Sequence, residues 1–274
     1  MGDLATSYLF VNNTIADATE VNTNYSDIVN YINARNSGSS KWDSLKTSGS
    51  CSIDGSLTVG GVDIGSLVGS DGWLPSGETW TYASATTFTV SGDKTGKYSP
   101  GDKIKLTQTS VKYFYVMSVS YSAPNTTVTI YAGTTYTLAN AAITSPYYSK
   151  QLTPNGFPSK FQFTPTITGF SSTLDNNCFF TLHGKSLTVN YEINGTSNAT
   201  SFFITLPTIT LDVTLDTRCA IGSAMDNGSW VTSGNPVAYN DLSDRIAFGR
   251  DRFDSGWTAS GNKHAIGVFH GYIS

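Results

Sequence analysis

From Trp80 to the C-terminus, short runs rich in Val, Ile, Thr, Tyr and Phe alternate apolar with polar residues, and turn-forming residues interrupt them. Alternation with period two puts one set of side chains on each face of a pleated strand. Short strands of this kind, bounded by Gly, Pro, Asn and Asp at roughly 8–12-residue spacing, build sandwiches and barrels rather than βαβ units. Trp80–Ala83, Thr87–Val90, Lys103–Leu106, Lys112–Val116 and Thr127–Tyr131 are five such runs. Ser91-Gly92-Asp93, Ser99-Pro100-Gly101-Asp102 and Ala123-Pro124-Asn125 divide them, which predicts a small β barrel or sandwich over residues 71–148, with 139–145 as a connection. Further on, Phe161–Ile167, Cys178–Leu182, Ser186–Ile193, Ser201–Leu206, Ile209–Leu215 and Ile266–Ile273 read as strands, with turns at Asn155-Gly156, Asn194-Gly195 and Asn227-Gly228. They predict a jelly-roll-like β-sandwich over residues 149–274. No repeat of fixed period is visible, which argues against a parallel β-helix.

The first 70 residues have a different character. Asp17-Ala18-Thr19-Glu20 fits a capping box, with an acceptor side chain at the N-cap and Glu three residues later. Val21, Tyr25, Ile28, Val29 and Ile32 then fall at i, i+4, i+7, i+8 and i+11, one apolar stripe on a helix of about four turns. A helix this short is marginal in water by itself, so the stripe requires a partner. Residues 1–50 form a small leading module, and the partner is either further copies of the helix or a docking surface. In residues 51–70, Ile53, Leu57, Val59, Val62, Ile64 and Leu67 alternate with Gly, Ser and Asp. Two short strands cannot form a core, so burying these residues calls for several copies intertwined around an axis as a short shaft. A flexible Gly/Ser linker is the alternative.

Composition limits the function. Charged residues are 13% of the chain, about half the usual share. The 16 basic residues are scattered and the net charge is −4, so the clustered cations needed for nucleic-acid binding are missing. No stretch approaches the length and apolarity of a membrane span, and the N-terminus lacks the pattern of a secretory signal. The expectation is a chain without membrane insertion or nucleic-acid partner. Cys51, Cys178 and Cys219 show no zinc-like spacing, and an odd count argues against a complete disulfide framework.

Catalytic chemistry finds little support. The histidines, His183, His264 and His270, form no metal-ligand motif; the first and last fall in apparent strands and His264 in a loop. Glutamate occurs only at positions 20, 78 and 192, and most aspartates sit in turn contexts. Asp241, Asp244, Asp251 and Asp254 alternate with Arg245, Arg250 and Arg252, a pattern that fits an ion-pair network better than a pair of glycosidase carboxylates. No nucleophile elbow or phosphate-binding loop occurs. The expectation is a non-enzyme with no metal and no cofactor. Trp230, Tyr239, Arg250, Arg252 and Trp257 lie in a Gly- and Asn-rich region read as loops, and are the candidate receptor-contact residues because Tyr, Trp and Arg dominate binding hot spots. Packing of these aromatics in the core is the competing reading.

Three segments carry a family resemblance. Ala16-Asp17-Ala18-Thr19-Glu20-Val21-Asn22-Thr23-Asn24-Tyr25 resembles the helix that opens many bacteriophage tail and head fibre subunits, with Tyr25 where Phe is common. Ile53-Asp54-Gly55-Ser56-Leu57-Thr58-Val59-Gly60-Gly61 is similar to the shaft segments of trimeric fibres. Phe179 to Pro207 resembles a run found in fibre tips that are compact trimeric sandwiches. Their order is anchor, shaft, tip. The resemblance implies a homotrimeric appendage on the virion surface, docked on capsid or tail proteins through residues 1–35, whose tip contacts a host surface glycan or protein. A purely structural capsid or tail decoration protein and a spike that degrades surface glycan are the alternatives.

Overall fold

The structure is a computed structural model that describes residues 18–36, 58–59, 62–63, 71–214, 216–253 and 255–274, with helix side chains described at Thr19 and at 21–30. It is mainly β, with a single helix among the described residues. The chain divides into two compact units, Met1–Gly55 and Ser56–Ser274.

In the first unit, α1 spans Ala18–Asn36. It begins one position after Asp17, where the capping reading places its N-cap; Asp17 itself lies outside the described residues. Thr23 and Ser26 donate side-chain hydrogen bonds to the carbonyls of Thr19 and Asn22, both 2.8 Å, which occupies their hydroxyls within the helix.

In the second unit, β1 (Thr58–Val59) and β2 (Val62–Asp63) pair antiparallel with Val59 opposite Val62. Gly60 and Gly61, between the two strands, lie outside the described residues. The rest of the expected shaft lies outside the described residues.

A seven-stranded antiparallel sheet follows. It contains β3 (Leu74–Pro75), β4 (Thr81–Ser84), β5 (Thr87–Ser91), β6 (Lys103–Gln108), β7 (Ser110–Ser122), β8 (Asn125–Tyr131) and β9 (Thr144–Ser149), in the order β3-β9-β6-β7-β8-β5-β4. The five expected strands are all present. β3 and β9 are additions, and β9 takes the end of the stretch expected to be a connection. Its Thr-Ser-Pro-Tyr-Tyr-Ser sequence carries a proline, which demotes a run in sequence reading but is tolerated near a strand start. Alternate residues of these strands point into a core built around Trp80, stacked on Phe88 at 4.3 Å, with Ile104, Leu106, Phe114, Val116, Val128 and Ile130 buried beside it.

The second sheet has ten strands: β10 (Phe161–Phe163), β11 (Thr166–Thr168), β12 (Phe170–His183), β13 (Ser186–Ser197), β14 (Phe203–Thr205), β15 (Arg218–Asp226), β16 (Ser229–Trp230), β17 (Val237–Leu242), β18 (Arg245–Gly249) and β19 (Asn262–Tyr272). The order is β10-β12-β13-β19-β15-β17-β18-β14-β11, with β16 paired to β15. β15 is where the sheet curls. Its start, Arg218–Ala220, pairs with β17, and its continuation from Ile221 pairs with β19 across a register shift at Ile221/Ser223. A bulge at this point bends the strand and lets one sheet supply two facing layers. Tyr191 of β13 meets Phe248 of β18 at 4.9 Å, and Phe170 of β12 meets Phe202 at 4.9 Å, so the layers enclose a sandwich-like core. Each large apolar side chain buried there contributes roughly 1.5–3 kcal/mol.

Aromatic contacts join the two sheets. Tyr131 stacks on Phe180 at 5.3 Å, and Tyr115 lies 5.6 Å from Phe161. The hydrophobic core is continuous across both. Gly101 makes the approach possible: its φ is +87°, and a Cβ there would lie 2.1 Å from the Gly184 carbonyl oxygen.

Several expectations are corrected. Of the run 209–215, the described residues 209–214 form no strand. Ile209 and Leu211 are buried, but only Leu211 makes an isolated bridge, to Ile273, and Asp212 accepts two bonds from Thr214 that end the extended run in a turn. The Gly- and Asn-rich region around Trp230 and Tyr239, where no clear strands were expected, holds β16, β17 and β18, with β15 just before it. His264 lies in β19, not in a loop. The run 161–167 is two strands, and β10 and β11 sit at opposite ends of the curled sheet.

Candidate functional site

On the outer face of the second layer, four strands place a row of side chains side by side. Phe203 of β14 pairs with Ala247 of β18, and Ala247 pairs with Tyr239 of β17; Tyr239 pairs in turn with Arg218 of β15. Strands spaced about 4.8 Å apart put the Phe203 and Tyr239 backbones roughly 10 Å apart. The residue between them carries only a methyl group. The result is a slot with aromatic walls and a small floor, part of a cavity of about 240 Å³.

The loops around Ser201 and Gly256 close one side of this cavity. Asp241 and Arg245 close another. The Arg245 Nε–H donates to both Asp241 carboxylate oxygens, at 2.9 and 3.0 Å, and its Nη2 donates to Oδ2. These bonds hold the Arg245 guanidinium above its ordinary pKa, burial opposing them. The pairing neutralises the local charge. It leaves unused lone pairs on the carboxylate and unused N–H groups on the guanidinium, by the donor count of arginine. The Arg245 guanidinium also lies over the Phe203 ring at 4.3 Å, and Arg218 lies over Tyr239 at 4.7 Å. Both rings are thereby fixed by cation–π contact.

The candidate contact residues separate. Tyr239 is half-buried and lines the slot. Trp257 is corrected: it is 2% exposed and donates its indole N–H to the Phe248 carbonyl at 2.6 Å. It packs against Phe202 at 5.6 Å and supports the cavity from within the core instead of presenting its ring to a partner. Trp230 is 56% exposed on β16, 5.9 Å from the His264 ring, and does not line the cavity. Arg250 reaches back to buried Asp226 at 3.0 Å, and Arg252 is exposed with its guanidinium over Phe253 at 4.7 Å. Of the five, Tyr239 and Trp257 meet at one site.

The aspartate–arginine series also resolves into parts. Asp241 pairs with Arg245. Asp251 accepts from the backbone amides of Phe253 and Ser255, and hydrogen bonding to Ser255 foremost holds its carboxyl below the ordinary value. Asp254 lies outside the described residues. Among the described residues, no group of three or more His, Cys, Asp or Glu side chains is placed to hold a metal. Cys178 and Cys219 are both free, and burial pushes the Cys178 thiol up to about 12. Cys51 lies outside the described residues.

Behind the cavity wall sits a buried lysine. Lys263 is 0% exposed and donates to the carbonyls of Ala199, at 2.9 Å, and Gly169, at 3.3 Å. Phe170, Phe202 and Trp257 surround its ammonium at 5.3–5.7 Å. Burial lowers its pKa to about 8, with Asp226 acting in the opposite direction.

On α1, Val21 is 49% exposed, Tyr25 68% and Ile28 38%, with Val29 half-buried. Ile32 lies in the helix at the next position of the stripe; its side chain is outside the described residues. An apolar stripe facing solvent is the surface that the sequence pattern required a partner to cover.

Phe203 and Ala247 were missed in sequence reading. The alternation Phe203-Ile204-Thr205 and Arg245-Ile246-Ala247-Phe248 was available, but the register that puts Ala247 between two rings comes only with the pairing of β14, β18 and β17. No family model, curated protein or solved structure matches this chain.

Proposed function

We propose that this chain is a subunit of a trimeric fibre or spike on the surface of a bacteriophage virion, anchored through α1 and contacting the host with its C-terminal sheet. The observation that carries this reading is the exposed stripe Val21, Tyr25 and Ile28 on α1. A helix of this size gains most of its stability from packing its apolar face, so exposure of that face in the isolated chain fits a segment that acquires its partner on assembly. The short hairpin of β1 and β2 agrees with a shaft that needs further chains to complete it. The sandwich-like body supplies a rigid support, and the slot between Phe203 and Tyr239 gives its outer face a concave, partly aromatic surface suited to recognition.

The test is incorporation. In the double variant Tyr25→Asp and Ile28→Asp, the β body should melt as in the wild type, because both side chains are exposed. Virions assembled with the variant should lack the subunit in quantitative immunoblots. Particles carrying normal amounts would remove α1 as the anchor.

A further inference from the structure

The slot between Phe203 and Tyr239 has the chemistry to hold a defined class of ligand, and we infer that it binds a neutral hexopyranose unit of a surface polysaccharide. This inference rests on the proposed host-contacting role and names what that contact recognises. One face of each ring is covered by a guanidinium, Arg245 over Phe203 and Arg218 over Tyr239, so an inserted ring must use the other faces and needs roughly 7–8 Å in all at about 3.5–4.0 Å per van der Waals contact. The Phe203–Ala247–Tyr239 row spaces its outer positions by two strand separations, roughly 10 Å between backbones. The floor at Ala247 is a single methyl. The cavity of about 240 Å³ accommodates one saccharide residue and is too small for a folded peptide element.

Charge then selects among ring-shaped ligands. Arg245 and Asp241 neutralise each other through three hydrogen bonds, so the cavity offers no net cation for a phosphate or carboxylate. What remains is an acceptor and a donor side by side. A sugar hydroxyl donates and accepts at once, and two neighbouring hydroxyls match such a pair: one gives its proton to Asp241 while the other accepts from Arg245. Ser201 also lines the cavity. The apolar C–H faces of a pyranose meet the rings and its equatorial hydroxyls meet the polar wall. A flat aromatic ligand would use the rings but leave the remaining lone pairs of Asp241 and N–H groups of Arg245 unused.

The experiment uses the full chain and three probes: methyl β-glucopyranoside, methyl β-galactopyranoside and methyl α-mannopyranoside. Saturation-transfer difference NMR should show transfer to the ring protons of at least one of them. Ala247→Val, a strand-compatible change that fills the slot, should weaken that binding by about tenfold or more, as should Asp241→Asn, which removes a charge-assisted bond. Trp230→Ala, outside the cavity, should leave it unchanged. Absence of transfer from all three probes, or undiminished transfer in both cavity variants, overturns the inference. A parallel assay separates this from the host-contacting role. Soluble wild-type chain is added to host cells before virions, and blocking of adsorption is scored. Blocking that persists in Ala247→Val leaves the host contact standing and removes this slot from it. Hexoside binding without blocking leaves a saccharide site and removes the host contact.

Discussion

Lys263 makes the stability of this protein depend on pH in a way that its surface charges do not. Its side chain is fully buried, and burial lowers its pKa from 10.5 to about 8 in the folded state. Between these two values the unfolded chain binds a proton that the folded chain does not. Stability therefore rises with pH through this window and is lowest, for this group, below pH 8. A difference of about 2.5 pKa units corresponds to about 3 kcal/mol, on the order of a third of a typical domain's stability. Other buried groups act in the opposite direction. Burial raises the Cys178 thiol to about 12 and the Tyr131 hydroxyl to about 12, so above roughly pH 9 the folded state retains protons that the unfolded chain loses, and stability falls. The lysine's contribution is thus read from a difference. Wild type and Lys263→Met are unfolded in urea at intervals from pH 7 to pH 10.5, under reducing conditions. Met keeps the length and apolar stem but gives up the bonds to Ala199 and Gly169, so the variant's absolute stability shifts by an amount that does not depend on pH. Wild type minus variant should become more favourable by about 3 kcal/mol across the window, with a slope approaching 1.4 kcal/mol per pH unit. Two parallel curves would refute the assignment of a depressed folded-state pKa to Lys263.

Two further predictions concern packing. Gly101→Ala places a Cβ 2.1 Å from the Gly184 carbonyl at a φ of +87°; it should cost several kcal/mol, by loss of the close approach and backbone strain together, and a thermal midpoint within a degree of wild type would count against the junction between the two sheets. Phe202→Ala removes a ring stacked on Phe248 at 4.3 Å and packed against Trp257; chemical denaturation should show a loss of roughly 3–5 kcal/mol, and a loss below 1 kcal/mol would contradict its place in the sandwich core.

The parts of the fold that the sequence disclosed are those where a local rule and the tertiary structure agree. Thr87–Val90, Lys103–Leu106 and Thr127–Tyr131 alternate cleanly, are bounded by turns, and are strands. The stretch 218–249 misled because its first strand, β15, is built mostly from small and polar residues. In Arg218-Cys219-Ala220-Ile221-Gly222-Ser223-Ala224-Met225-Asp226, the bulge at Ile221/Ser223 shifts the phase of burial midway, so no single period-two pattern fits. The reverse error at 209–215 has a similar origin. Ile209 and Leu211 alternate and are buried, yet the backbone there pairs through single bonds to Ser243 and Tyr272 instead of a ladder. For the site, residue type treats Tyr239 and Trp257 alike; the structure leaves Tyr239 half-buried at the cavity and buries Trp257, because a tryptophan beside glycine and serine reads the same whether its indole meets solvent or the Phe248 carbonyl. The slot itself depends on register between strands far apart in sequence, which no local pattern encodes.

In the proposed fibre, the short β1 and β2 strands need further copies of the chain to complete them. The mass of the full chain in solution at micromolar concentration, by size-exclusion chromatography with light scattering, tests this. Three chains of 29.3 kDa, about 88 kDa in one monodisperse peak, is the predicted result. A well-folded single chain of 29.3 kDa, with no concentration dependence, would contradict it.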